Sequence, residues 1–169
     1  MKTKFKALYM DWAERVAQMS HAKRLQVGSV IVKNDTVISY GYNGMPANWD
    51  NNCEDRLYPD KYAGDFEQHY DEFDSMFPLV DEDGQRYRLK TKPEVLHAES
   101  NAIAKLAKST SSGDGASIFI THAPCHNCAK LIYQSGISSV YYRSAYRDSA
   151  GLNFLKQSGV NVEQIEKGQ

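Results

Sequence analysis

Residues 117–142 read SIFITHAPCHNCAKLIYQSGISSVYY, and this stretch decides the fold class. Ser117 to Thr121 is an apolar run of the length of a short buried strand. Pro124 sits where a proline suits the start of a helix, and Ala129, Leu131 and Ile132 carry that helix to Gly136. Ser138 to Tyr142 is the next strand. Ala150 to Gln157 and Val160 to Ile165 repeat the pattern of helix and then strand. Strands alternating with helices at this spacing predict parallel pairing. The expectation is an α/β fold in three layers, with a central mixed sheet of about five strands flanked by helices.

Upstream, Pro93 leads into His97-Ala98-Glu99, followed by Ala102, Ile103, Leu106 and Ala107. This is a helix of good formers that ends in the Ser/Gly-rich stretch from Ser109 to Gly115. Val27 to Val32 and Thr36 to Tyr40 are β-branched runs joined by Lys33-Asn34-Asp35, a hairpin signal. The second run passes into Gly41-Tyr42-Asn43-Gly44, which is either a close approach to a ligand or a plain exit from the strand. Phe5, Leu8, Tyr9, Trp12, Val16 and Met19 recur at helical spacing and predict an amphipathic first helix. It stops before His21-Ala22-Lys23-Arg24, a basic cluster that is either a solvated connection or a phosphate contact.

From Met45 to Lys92 the periodicity is lost, prolines interrupt the chain, and Asp, Glu and Tyr are dense. Residues 48–92 are therefore expected as an irregular insertion, with a short acidic helix over Asp65 to Phe77. The rest of residues 1–169 is expected as a single domain.

The chain has 169 residues, 41% hydrophobic and 24% charged, with a formal net charge of −1. That length buries a core without disulfide staples. The near-neutral charge disfavours a grip on long nucleic acid, which usually needs a basic excess, and leaves a free nucleotide or other small molecule as substrate. No apolar run approaches the roughly 20 residues that span a membrane, and Met1-Lys2-Thr3-Lys4-Phe5 lacks the apolar region of an export signal. Three cysteines, two of them in C-x-x-C, fit a metal and a reducing compartment, so a cytoplasmic location is expected.

Cys125 and Cys128 are three apart, so on a helix they share a face and can grip one metal. His97 adds an imidazole. Glu99 is too close in sequence to be a second ligand on the same face and is left free beside the metal. Both motifs sit at predicted helix starts, where unpaired N–H groups and the helix dipole stabilise thiolates. Three protein ligands leave the open position of a catalytic zinc, whereas a fourth from His122 or His126 would close it into a structural site. The free Glu99 favours the open site. Cys53 and His69 are too few for a second zinc, so one per chain is expected and Cys53 is read as buried or idle.

H-x-E followed by P-C-x-x-C is the pattern of zinc nucleobase deaminases. There the glutamate takes a proton from the attacking water, passes it to a ring nitrogen and then protonates the departing ammonia.

Beyond these motifs the chain resembles the deoxycytidylate (dCMP) deaminase family of the zinc cytidine deaminase superfamily. The residues that carry the resemblance are Val27-Gly28-Ser29-Val30-Ile31-Val32, Gly41-Tyr42-Asn43-Gly44-Met45-Pro46, His97-Ala98-Glu99-Ser100-Asn101-Ala102-Ile103 and Pro124-Cys125-His126-Asn127-Cys128-Ala129-Lys130. Tyr146-Arg147-Asp148 stands at the place of a further family motif. The resemblance implies a cytidine-deaminase-like fold and hydrolysis of dCMP to dUMP and ammonia, supplying dUMP for thymidylate synthesis. It implies one catalytic zinc on His97, Cys125 and Cys128, with Glu99 as the proton shuttle. It places Arg24 at the phosphate, with Lys23 and Arg147 as weaker candidates, and Asn43 at the sugar. His97, Ala98 and the backbone from Thr121 through Ala123 to Pro124 border the base, and Tyr146 packs on the pyrimidine.

The resemblance also implies activation by dCTP and inhibition by dTTP at a nucleotide site on Gly41, Tyr42, Asn43 and Gly44. Mg2+ would accompany a triphosphate effector, and a homo-oligomer is implied, a hexamer favoured. Two alternatives stand beside this reading. One is another deaminase of the superfamily, acting on tRNA adenosine, free cytosine or guanine. The other is a zinc-stabilised interaction module without catalysis.

Overall fold

The computed structural model describes residues 1–59, 74–145 and 148–167. In chain order, its first half contains α1 (Thr3–Ala17), β1 (Gly28–Lys33), β2 (Thr36–Tyr42), β3 (Glu54–Leu57), β4 (Leu79–Val80) and β5 (Arg86–Thr91). There follow α2 (Ala98–Leu106), β6 (Ser117–His122), α3 (His126–Gln134), β7 (Ser139–Ser144), α4 (Ala150–Gln157) and β8 (Asn161–Gln164). The central sheet has five strands in the order β2-β1-β6-β7-β8. β1 runs antiparallel to β2 and β6, while β6, β7 and β8 are parallel. The parallel pairs are those expected from the alternation of strand and helix, with α3 and α4 as their crossovers.

Successive residues of a strand face opposite sides, and here both sides are covered. Val30, Val32, Phe119 and Tyr141 pack with Tyr9, Met10 and Ala13 of α1. Ile31, Ile118, Ile120 and Val140 pack on the other face with Ala102, Leu106, Ala129, Ile132 and Leu155. The buried face of α1 differs from the predicted stripe. It runs through Tyr9, Met10, Ala13 and Ala17, whereas Leu8, Trp12 and Met19 remain 44%, 48% and 53% exposed. Two alanines, which a hydrophobic stripe underweights, let the helix lie close on β1. The hairpin turns at Asn34 and Asp35, both with positive φ (51° and 56°), as a two-residue type I′ turn requires.

The expectation of an irregular insertion over 48–92 does not hold for its described residues. They form a second, antiparallel sheet in the order β3-β5-β4. Its strands carry charges at half of their positions and are largely half-buried or exposed, so no apolar alternation announces them. The β4–β5 turn is fixed by Asp81, whose Oδ1 accepts from the N–H groups of Asp83 and Gln85. Cys53 anchors the sheet, buried with Ala22 and Val95. The expected helix over Asp65 to Phe77 falls mostly outside the described residues, as does His69, and residues 74–76 are helical. Among the described residues no helix is long and apolar enough to cross a membrane.

Candidate active site

The first turns of α2 and α3 meet beside the sheet. His97 is the N-cap of α2 and Cys125 the N-cap of α3, both with extended backbone (φ −78°, ψ 153° and φ −67°, ψ 165°). The backbone does what a cap requires, since the His97 and Cys125 carbonyls accept from the N–H groups of Asn101 and Ala129. Neither side chain caps its helix. Serine or aspartate there would stabilise each helix by about 1 kcal/mol. These side chains turn toward each other instead.

His97 Nδ1 lies 3.6 Å from Cys125 Sγ and 3.4 Å from Cys128 Sγ. The three donor atoms all lie within 4.8 Å of one another. Ordinary Zn–N and Zn–S lengths at tetrahedral angles separate such atoms by about 3.5 Å, so the trio fits zinc. Among the described residues no fourth His, Cys, Asp or Glu joins the group. His126 turns away and meets the ring of Phe154 edge-on at 5.5 Å.

Hydrogen bonds from the Cys128 thiol and the His97 imidazole pull the Cys125 thiol down to about 3. The same bond, with burial, pushes Cys128 up. His97 is raised chiefly by its bond to Cys125. One thiolate is thus built into the donor set, and a bound cation deprotonates the second. Glu99, on the first turn of α2, is 4% exposed. Burial pushes its carboxyl up to about 6. A carboxyl near neutrality can take a proton and give it back.

Two glycines let the frame close on these segments. A Cβ on Gly41 of β2 would lie 2.2 Å from the Ala98 carbonyl oxygen, and one on Gly151 of α4 would lie 2.1 Å from that of Pro124. The close approach at Gly41 is to the first turn of α2. Ser29 Oγ donates to the Ala98 carbonyl and Asn101 Nδ2 to that of Tyr42, both at 2.8 Å, which ties α2 to β1 and β2.

A cavity of about 310 Å³ lies against the donor set. It brings together Arg24, Asn43, His97, Ala98, Glu99, Ala123 and Cys125 of the residues singled out in the sequence. Asn43 Oδ1 accepts from Val27 N–H at 2.8 Å and its Nδ2 donates to the Leu25 carbonyl at 2.9 Å. One lone pair and one N–H remain for a ligand. Thr121 and Pro124 are buried and do not line this cavity; Thr121 Oγ1 accepts from Gly28 N–H. Of residues 41–44, Asn43 alone lines it, while Gly44 forms a β-bridge with Leu96. Tyr146 and Arg147 lie outside the described residues.

In the sequence the His122 side chain stands out as a candidate fourth ligand, and its backbone falls in the stretch expected to border the base. It lines the cavity, and burial lowers its imidazole from the ordinary value. Its place at the end of β6, three residues before Cys125, was the available signal. Thr91 and Val95 also line the cavity. Thr91 belongs to the unforeseen second sheet and Val95 follows it in the chain, packed with Ala22 and Cys53; neither had a signal of its own.

A three-donor metal site with a buried carboxylate at its side, on this sheet, defines the class of zinc-type hydrolytic deaminases. The profile for the cytidine and deoxycytidylate deaminase zinc-binding region matches residues 3–144. The deoxycytidylate deaminase of Enterobacteria phage T4 is 34% identical over 165 residues, covering 90% of this chain and 85% of its own. That of Homo sapiens is 32% identical over 150 residues, covering 83% and 70%. The crystal structure of dCMP deaminase from the cyanophage S-TIM5, in complex with dCMP and dUMP, matches with a TM-score of 0.75 at 39% identity, over 98% of this chain and 99% of that one. The chain belongs to the cytidine and deoxycytidylate deaminase family and is a hydrolytic deaminase.

Proposed function

We propose that this chain hydrolyses dCMP to dUMP and ammonia. The observation that carries the reading is Arg24, on the wall of the cavity that also holds Glu99, His97 and Cys125. A guanidinium matches phosphate geometry, and a cavity of this size takes a nucleotide. The likeness to the S-TIM5 enzyme, whose structure holds dCMP and dUMP, supports the same substrate.

Zinc, when bound, supplies a Lewis acid that lowers the pKa of a water toward neutrality. His97, Cys125 and Cys128 hold the metal. Glu99 takes one proton from the attacking water and delivers it to the ring nitrogen beside the amine-bearing carbon. It then carries the water's second proton to the amine, which leaves as ammonia while the carbonyl of the uracil forms. Asn43 offers its free amide atoms to the sugar. His97, Ala98 and the backbone of His122 and Ala123 border the base, and Tyr146 is assigned to pack on it.

The reading extends to regulation. dCTP activates and dTTP inhibits through Gly41, Tyr42, Asn43 and Gly44, with Mg2+ accompanying the triphosphate. The enzyme is a cytoplasmic homo-oligomer, a hexamer favoured, that supplies dUMP for thymidylate synthesis. The support is the stretch from Gly41 to Pro46 and the position of Asn43, which belongs to that turn and to the cavity at once.

An ultraviolet deamination assay offering dCMP, CMP, deoxycytidine and dCTP, each with and without dTTP, tests both parts. dCMP is expected to be turned over best. Turnover of deoxycytidine in its place overturns the substrate, and indifference to dTTP removes the regulation.

A further inference from the structure

The second sheet meets the catalytic cavity along one rung of its ladder. Glu54 and Thr91 are register partners across β3 and β5, and both contact Arg24. Glu54 Oε1 accepts from the backbone N–H groups of Lys23 and Arg24 at 3.1 and 3.2 Å. Thr91 Oγ1 accepts from Arg24 Nη1 at 3.3 Å. One end of the rung holds the backbone of Arg24 and the other holds its guanidinium. Among the described residues no carboxylate pairs with that guanidinium, which leaves its charge for an anion.

Glu54 is 4% exposed, and its Oε2 is buried with no hydrogen-bond partner among the described residues. An unpartnered buried oxygen costs stability, so the gain from this carboxylate lies in what it holds in place.

We propose that Glu54 and Thr91 are positioning residues for the substrate's phosphate, and that the second sheet belongs to the substrate site because it aims Arg24. The proposal rests on the reading of Arg24 as the phosphate contact. Glu54 fixes where the loop from His21 to Arg24 sits, and Thr91 fixes the direction of the side chain. Both act through Arg24 and not on the reacting carbon.

Steady-state kinetics of the zinc-loaded full chain on dCMP test this, with zinc content and Tm as controls. Arg24→Ala removes a charged hydrogen bond and is expected to raise KM by roughly tenfold or more. Thr91→Ala is expected to raise KM by about threefold to tenfold, with a smaller change in kcat, and Thr91→Ser to restore it. In the Arg24→Ala background, Thr91→Ala is expected to add nothing, because its target is gone. Glu54→Ala is expected to exceed Thr91→Ala in KM; if it does not fold, the Thr91 variants decide alone.

A KM for Thr91→Ala equal to the parent's, or effects of Thr91 and Arg24 that simply multiply, overturns the proposal while leaving the substrate reading intact. If Arg24→Ala itself leaves KM for dCMP unchanged, the phosphate reading fails and the proposal falls with it.

Discussion

The two sheets of this molecule are held by different forces. In the five-stranded sheet, Val30, Ile31, Val32, Ile118, Phe119, Ile120 and Val140 are all at most 1% exposed, so both faces are sealed by helices. In the three-stranded sheet Leu79 and Val80 are exposed, and apart from the buried Glu54 most side-chain contacts lie at the surface. They include the Arg56–Glu82 ion pair at 3.4 Å, the Arg86–Asp74 pair at 2.8 Å and the rings of Tyr58 and Tyr87 at 5.8 Å. The first sheet is a packed frame in which a small displacement loses many contacts. The second relies on its backbone ladder. The chemistry follows the division. A metal site needs its ligands held to about half an ångström, and its two N-caps begin helices docked on the packed frame. An anion met by a long arginine tolerates more slack, and Arg24 is held by the ladder.

The largest expected effect strikes the packed side of the contrast. Glu99→Gln keeps shape and removes the proton carrier, so kcat is expected to fall by about 10²–10⁴-fold. Zinc bound per chain should stay at the parental level by atomic absorption. Near-normal turnover would remove Glu99 from the mechanism. Gly151→Ala is expected next, because its Cβ would stand 2.1 Å from the Pro124 carbonyl beside Cys125. Overpacking of this kind destabilises by roughly 1–3 kcal/mol, read as a lower Tm together with a lower zinc content. A variant with parental zinc and Tm would mean that the frame yields more easily than its packing implies. Dialysis of the parent against a chelator follows in order. It should lower Tm by an amount that returns on adding zinc, since a ligand bound only by the folded state stabilises it. No change in Tm would detach the metal from the frame.

How much of this was legible depends on which sheet a residue belongs to. Ser117 to Thr121 and Ser138 to Tyr142 were readable as strands because each carries a short buried apolar centre, Ile118-Phe119-Ile120 and Val140-Tyr141. His97, Glu99, Cys125 and Cys128 were readable because metal ligation demands particular side chains at fixed spacing. The second sheet left no such trace, since a strand such as Arg86–Thr91 with little to bury needs no hydrophobic period. Glu54 and Thr91 gave no signal for the same reason. Their pairing across the ladder exists only after folding, and a lone glutamate and threonine some 40 residues apart in a polar stretch look like surface. The stripe on α1 was readable but too wide, because Ala13 and Ala17 make the contact that Trp12 and Met19 were expected to make.

The smallest expected effect tests whether the ladder is mechanically separate from the frame. Arg56 sits over the ring of Tyr87 at 5.0 Å and pairs with Glu82 across solvent. Exposed pairs of this kind contribute little to stability, so Arg56→Ala should leave Tm, zinc content and kcat nearly at the parental values. The rung formed by Glu54 and Thr91 lies two residues away on β3, and its backbone bonds do not pass through the Arg56 side chain. Any loosening should therefore show as faster amide exchange in β4 and at the β4-proximal end of β5, while exchange in β1 and β6 stays slow. A fall in zinc content or a tenfold loss of kcat would mean that strain in the ladder reaches the donor set, and the two regions would have to be treated as one cooperative unit.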